Sequence, residues 1–368
     1  MDIGVPKEIK NHEYRVALPP AGVQQLIKAG HKVRVETRAA DHLGFSDQDY
    51  RNAGAQICNS AVEVWDQSTL ILKVKEPQPG ECDYLRADHI LFTYLHLAAD
   101  EPLTERLLAS GCTAIAYETV TGRQGDLPLL TPMSEVAGRM SVQAGAHCLE
   151  ISQQGRGVLL SGVPGVEAGR VVILGGGVVG SNAAKVALGM GADVTILDTS
   201  ATRLAWLEQN FSGKLTTLYS TADSIEQTVL CADLVIGAVL IPGAAAPKLV
   251  SEELVSRMKQ GAVLVDVAID QGGCFATSSA TTHSNPTFIK HGVVHYCVAN
   301  MPGAVARTSS QALSNVTLPY VLQLANHGWR SAFAKDPGFA NGLNVHQGQI
   351  YCPGVASAFN RTLATLPA

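Results

Sequence analysis

A chain of 368 residues is too long for one ordinary hydrophobic core and fits two domains. Hydrophobic residues make up 46% and charged residues 16%, which supplies packed interiors and excludes extended disorder. The net charge of −5, with no basic stripe, argues against nucleic acid as a partner, and the most apolar tract, residues 229–247, is too broken by Asp233, Pro242 and two glycines to span a bilayer.

The opening residues, MDIGVPKEIK, contain no basic leader followed by an apolar run, so a cytoplasmic location is expected. Strand-like runs at residues 3–5, 32–36, 70–74, 90–93 and 113–117 then alternate with helical stretches such as 20–28 and 101–109. Pro20 suits a first helical turn and Gly30 a C-terminal stop. These elements predict one α/β domain over residues 1–130.

Ser134 opens a helical segment, residues 135–153, that reads as a connector. From Arg170 a second alternation begins. Its strands are expected at 171–174, 194–197, 215–219, 234–237, 263–267 and 293–298, with helices between them. Six strands with helical crossovers predict a doubly wound parallel sheet, so residues 131–306 are expected to form a Rossmann domain with its connecting helix. Residues 307–327 read as a second long helix. The tail would then return to the first domain, making it a discontinuous α/β domain completed by residues 307–368. The eight cysteines are widely spaced, the closest pair being Cys274 and Cys297, which rules out CxxC motifs and predicts reduced, mostly buried thiols with no metal.

The most informative local signal is Gly175-Gly-Gly177-Val-Val-Gly180. GxGxxG alone is weak in a chain with 35 glycines. Here a β-branched strand precedes it, an amphipathic helix follows, and the next strand ends in Asp198. Gly175 permits the tight turn, Gly177 lets a pyrophosphate approach the backbone, and Gly180 lets helix and strand pack closely. The helix start at Val178 offers unpaired N–H groups to the phosphates. Asp198 suits ribose hydroxyls and disfavours a 2′-phosphate, so NAD is expected over NADP, although Arg203 nearby weakens that preference. A glycine turn in a non-binding domain and a flavin site are the competing readings.

Three N-terminal segments put polar residues where a core pattern would not. Arg15 follows the first strand, and a fork for a substrate carboxylate competes with a solvated arginine. Lys73 and Lys75 follow the apolar run 70–72 and are expected to share one strand face, at the sheet edge where ligands bind. His96 follows the run 90–93; a proton carrier competes with a satisfied structural histidine. In the second domain Asp270 lies just past the fifth strand, with Asp266 one strand period back and unassigned.

Taken together, the strings Gly4-Val-Pro-Lys-Glu-Ile-Lys, Glu13-Tyr-Arg15-Val-Ala, Lys73-Val-Lys75-Glu-Pro, Tyr94-Leu-His96-Leu-Ala, Pro132-Met-Ser134-Glu-Val-Ala-Gly, the glycine turn, Asp270-Gln-Gly-Gly, Thr281-Thr-His-Ser-Asn-Pro and His295-Tyr-Cys-Val-Ala-Asn300-Met-Pro-Gly resemble the alanine dehydrogenase / pyridine nucleotide transhydrogenase family from residue 1 to about 360. The resemblance implies NAD-dependent oxidative deamination of L-alanine to pyruvate and ammonium. It implies that Arg15 and Lys75 bind the substrate carboxylate and carbonyl, and that His96 and Asp270 handle protons, with acid and base roles undivided. It further implies nucleotide contacts at Ser134, Val178, Val179, Asp198, Arg203, Ser220, Val239 and Leu240, and a nicotinamide end lined by Val267, Ala268, Ile269, Asp270, Val298, Ala299, Asn300 and Met301. Some relatives carry an arginine near the Thr-Thr-His-Ser-Asn-Pro segment where this chain has Ser278-Ser279, so no contact is expected there. Tyr94, Leu130 and Met133 flank the catalytic strings and are candidates for a pocket around the substrate methyl. Family members are often hexamers, so a homo-oligomer is expected. The rival readings are the nucleotide-binding part of a proton-translocating transhydrogenase, an opine-type or lysine-forming dehydrogenase, and a non-catalytic NAD sensor.

Overall fold

The computed structural model describes residues 1–239 and 246–365. The chain divides into two compact units, Met1–Met133 with Gly303–Ala368, and Ser134–Pro302.

The first unit is built on β1 (Asp2–Val5), β2 (Lys32–Glu36), β3 (Gln56–Cys58), β4 (Leu70–Leu72), β5 (Ile90–Thr93) and β6 (Thr113–Ala116). These six strands pair in parallel in the order β6-β5-β4-β1-β2-β3. β4, β5 and β6 are buried along their whole length, as strands covered on both faces must be. The strand order reverses at β1, with β2 and β3 on one side and β4, β5 and β6 on the other. Ligand sites in open α/β sheets gather at the carboxyl ends of strands around such a reversal. The loop bearing Arg15 leaves β1, Lys75 lies just past β4, and His96 just past β5.

In the second unit β7 (Arg170–Leu174), β8 (Asp193–Asp198), β9 (Thr216–Tyr219), β10 (Leu234–Gly237), β11 (Val263–Asp266), β12 (Thr287–Lys290) and β13 (Val293–Tyr296) form a sheet in the order β12-β13-β11-β10-β7-β8-β9. All pairs are parallel except β12–β13. Its reversal falls between β7 and β10, and the glycine turn leaves β7 there. Val172, Leu174, Val235 and Leu264 from these central strands pack with Val229, Val255 and Phe275 into one core.

Several elements differ from the sequence reading. The two short strands β14 (Leu343–His346) and β15 (Gln349–Ile350), drawn from the tail, extend the first sheet antiparallel at its β6 edge. β12 adds an antiparallel edge to a sheet read as six parallel strands. The connector is a helix over Thr131–Cys148, with Pro132 in its first turn, followed by a separate 3-10 turn at Ile151–Gln153. β4 stops at Leu72, so Lys73 and Lys75 do not lie on one strand face. The second long helix, Ala306–Lys335, is interrupted at Gly328, whose left-handed backbone lies outside helical geometry. Among the described cysteines, all are free and six are buried; Cys231 is exposed and Cys352 half-buried.

Candidate active site

Arg15 is not a solvated arginine: only 2% of it is exposed. Its Nε and Nη2 donate to the two carboxylate oxygens of Glu13 at 2.7 and 2.5 Å, and Nη1 lies 3.1 Å from the Met133 sulfur. The main-chain N–H of Arg15 also donates to Glu13, at 3.0 Å. This fork-to-fork pairing fixes the plane of the guanidinium as well as its position. Burial opposes its charge, but the Glu13 carboxylate outweighs burial and raises the pKa further.

Lys73 and Lys75 have parted company. Lys73 is wholly buried, its ammonium donating to Glu8 at 2.9 Å and Glu81 at 2.8 Å. Burial alone would lower its pKa; the two carboxylates raise it overall. The other oxygen of Glu8 accepts the N–H groups of Val74, at 2.6 Å, and Lys75, at 3.3 Å. The Lys75 carbonyl accepts from the Thr93 hydroxyl at 2.9 Å. Lys73 is therefore part of the frame, and Lys75 is the lysine that the frame presents.

His96 sits in the left-handed region at φ 51°, uncommon for a residue with a Cβ. Glu118, just past β6, accepts its N–H at 2.6 Å and that of Leu95 at 3.2 Å. The His96 side chain is 50% exposed, its Nδ1 3.9 Å from Glu118. It stacks on Tyr94 with ring centres 5.9 Å apart. Tyr94 is buried and donates to the Leu129 carbonyl at 2.6 Å. Burial pushes its phenol up, against the pull of Arg15, so Tyr94 remains protonated and does not serve as a base near neutral pH. Arg15, Tyr94, His96 and Met133 are thus gathered at one edge of the first unit's sheet, with Lys75 on the neighbouring loop.

The glycine turn of the second unit has the geometry a dinucleotide needs. Gly175 has φ +102°, and a Cβ there would lie 2.8 Å from the Ala238 carbonyl and 3.1 Å from the Val239 nitrogen. A Cβ on Gly180 would lie 1.8 Å from the Gly175 carbonyl, whereas one on Gly177 would meet nothing. Gly177 caps the helix Val178–Gly189 without a side-chain bond, leaving that helix N-terminus open on its Gly177 side. The residues therefore fit a pyrophosphate. Asp198 accepts from Gly176 N–H at 2.7 Å and Ser200 N–H at 2.8 Å, so it orders the turn and keeps lone pairs for hydroxyls. Arg203 donates to the Gly176 carbonyl and, at 3.3 Å, to the Gly177 carbonyl, and stacks 4.0 Å over Trp206. Ser220 follows β9 and donates its N–H to the Asp198 carbonyl at 3.0 Å. A Cβ on Gly138 would lie 2.2 Å from the Val179 carbonyl, so the connector helix packs on the nucleotide helix one turn from Ser134. Leu240 lies outside the described residues.

Asp270 is exposed on the 3-10 turn Val267–Gln271 at the end of β11. Ala268, Ile269, Val298 and Met301 are buried. Val267 and Ala299 are half-buried. Asn300 has φ 65° and its carbonyl is 3.1 Å from His283 Nε2.

Two family models match the chain: "Alanine dehydrogenase/PNT, N-terminal domain" over residues 4–137 and "Alanine dehydrogenase/PNT, C-terminal domain" over residues 141–353. The chain belongs to the alanine dehydrogenase/PNT family. An alanine dehydrogenase of Halomonas elongata is 60% identical over 359 residues, covering 98% of this chain and 97% of the relative. One from Mycobacterium tuberculosis is 54% identical over 357 residues, covering 97% and 96%. A solved L-alanine dehydrogenase, 55% identical, superimposes with a TM-score of 0.95 over 98% of this chain and 99% of its own. A transhydrogenase from Sinorhizobium meliloti, 24% identical, gives 0.82 over 96% and 99%, which establishes a shared fold alone.

Sequence reasoning named the cations of this family site and missed the carboxylates that hold them: Glu13, Glu8 and Glu118. A signal existed for Glu118, because it follows a buried strand at the same sheet edge as His96. Glu13 lies two residues before Arg15 in the same family string, which is the signal for it. Glu8 stands 65 residues from Lys73, and no local pattern links them.

Proposed function

We propose that the first unit grips the substrate and the second holds NAD, the chain interconverting L-alanine and water with pyruvate and ammonium. Near-full-length identity of 54–60% to alanine dehydrogenases supports the NAD-dependent reaction. The observation that carries the residue assignment is Arg15, buried and locked by Glu13 at the sheet edge that also bears Lys75 and His96. NAD, when bound, supplies the acceptor for the hydride that leaves the alanine Cα. Gly175, Gly177, Val178, Val179 and Gly180 receive its phosphates, and Asp198 its adenosine ribose. Ser134, Arg203, Ser220, Val239 and Leu240 flank that half. The loops 267–270 and 298–301 receive the nicotinamide end.

Arg15 binds the substrate carboxylate and fixes its orientation. The Lys75 ammonium polarises the keto oxygen in the aminating direction. As the amine loses its proton and the Cα–H bond breaks, an imine of pyruvate forms. His96 and Asp270 share the proton traffic: one takes a proton from the water that adds to the imine carbon, and the carbinolamine so formed expels ammonia, which leaves as ammonium. Tyr94, Leu130 and Met133 bound the methyl group. One methylene is worth only about 1–3 kcal/mol of discrimination, so slow turnover of 2-aminobutyrate is expected.

The enzyme is cytoplasmic and a homo-oligomer, a hexamer. Among the described residues, no helix is long and apolar enough to cross a membrane. The oligomer follows from the family resemblance and is checked by light scattering on the eluting protein. The reaction is tested by mixing the protein with NAD and a panel of small L-amino acids and following NADH. Signal with alanine supports the reading. Signal only with another amino acid moves it to an opine-type or related dehydrogenase, and no signal with any moves it to a nucleotide-binding protein.

A further inference from the structure

Asp266 is a buried acid with no part in the chemistry above. It caps the 3-10 turn Val267–Gln271, Oδ1 accepting the Ala268 N–H at 3.1 Å. Its Oδ2 accepts the N–H groups of Cys274, at 3.0 Å, and Phe275, at 3.4 Å, and the Ser278 hydroxyl at 2.5 Å. One carboxylate therefore ties both ends of the loop that carries Asp270. Between those ends, Gly272 and Gly273 both have positive φ, at 88° and 77°. A Cβ on Gly273 would lie 2.5 Å from Asp266 Oδ2, so glycine is what lets the returning chain approach the acid.

The same loop is held from its other polarity. The ammonium of Lys248 donates to the carbonyls of Gly272 at 2.5 Å, Gly273 at 2.9 Å and Phe275 at 3.3 Å. Its three donors meet three acceptors. Its segment is joined to the loop by Ala246 N–H to the Gln271 carbonyl, 3.0 Å, and Leu249 N–H to the Cys274 carbonyl, 2.8 Å. Loop amides thus converge on a fixed anion and loop carbonyls on a fixed cation. An exposed turn with only its own backbone bonds would sample many geometries.

We infer that Asp266 and Lys248 are positioning residues: together they clamp the loop so that the Asp270 carboxylate is held in its working place. The inference deepens the assignment of Asp270 as a proton carrier and rests on it. Neither residue touches substrate, and each acts through the loop.

The test uses the full-length protein and two variants, Lys248→Met and Asp266→Asn. Lys248 is exposed, so its variant folds even where loss of the buried acid does not. Hydrogen exchange of the peptide spanning residues 267–276 is expected to accelerate at least about tenfold in Lys248→Met, while the peptide spanning 171–180 is unchanged. Turnover is expected to fall about 10- to 100-fold, with NADH affinity retained, because displacing a reacting group by an ångström costs that much. In an Asp270→Asn background, Lys248→Met is expected to add no further loss. Unchanged exchange in the 267–276 peptide overturns the clamp. Accelerated exchange with an equal further loss in the Asp270→Asn background overturns its action through Asp270. Wild-type turnover of Asp270→Asn alone removes Asp270 from the mechanism and with it the positioning role, while the exchange result still decides whether the loop is clamped.

Discussion

Lys73→Met removes the ammonium that the buried carboxylates of Glu8 and Glu81 share, their side chains being 3% exposed. Methionine fills the stem's volume, so the loss is electrostatic rather than a cavity. One of the two acids must then take a proton for the fold to survive. Against an ordinary glutamate value of 4.5, holding a carboxyl protonated at about pH 7.5 costs about 4 kcal/mol, at 1.36 kcal/mol per pH unit. That figure falls within the roughly 3–5 kcal/mol typical of breaking a buried pair. The variant's folded state binds one more proton than its unfolded state, so its stability rises as pH falls. By about pH 5.5 the deficit should shrink to about 1.4 kcal/mol. The assay is urea unfolding of both proteins at the two pH values, followed through Trp65, which is wholly buried in the same unit. A deficit that stays constant across that range would show that the cluster carries no such linkage and would refute the reasoning.

Gly177→Ala should leave the thermal midpoint near wild type, because its Cβ meets no protein atom, yet weaken NADH binding in a fluorescence titration. Gly180→Ala should lower the midpoint as well, because its Cβ would sit 1.8 Å from the Gly175 carbonyl. Burial pushes the Glu76 carboxyl up, but Lys10 outweighs it and the net pKa is lowered from 4.5. The stability from that pair is therefore present above pH 4.5 and lost as pH falls through the depressed value. The gap in unfolding free energy between wild type and Glu76→Gln, measured by urea titration and below about 1 kcal/mol because Lys10 is more than a third exposed, should close in strong acid; a gap persisting there would contradict the pairing. Arg15→Lys should lower kcat/KM for pyruvate by about 100-fold, since a lysine cannot reproduce the planar fork to Glu13 and bind a carboxylate; steady-state kinetics decide this.

What could be read from the sequence was what repeats along it or sits beside a strand. Val171–Leu174 followed by the glycine turn declares itself, because a buried strand and a phosphate-binding turn each leave a local signature. The edge strands β12 and β15, and β14 beside β15, carry only two to four residues each and gain their identity from the neighbour they pair with, so their composition says little. Strand alternation puts Lys73 and Lys75 on one face only if the strand continues past Leu72, and there the chain turns. The partners that fix the site, Glu8 for the Lys75 turn and Asp266 for the Asp270 loop, are defined by hydrogen bonds formed only after folding. Leu240 falls outside the described residues and stays a proposal.

That His96 moves protons and takes no part in holding the nucleotide is tested most directly by His96→Ala. With NAD and L-alanine, NADH formation should fall to a small residue of the wild-type rate, while the variant binds NADH as wild type does. NADH formation by His96→Ala at the wild-type rate would contradict the account.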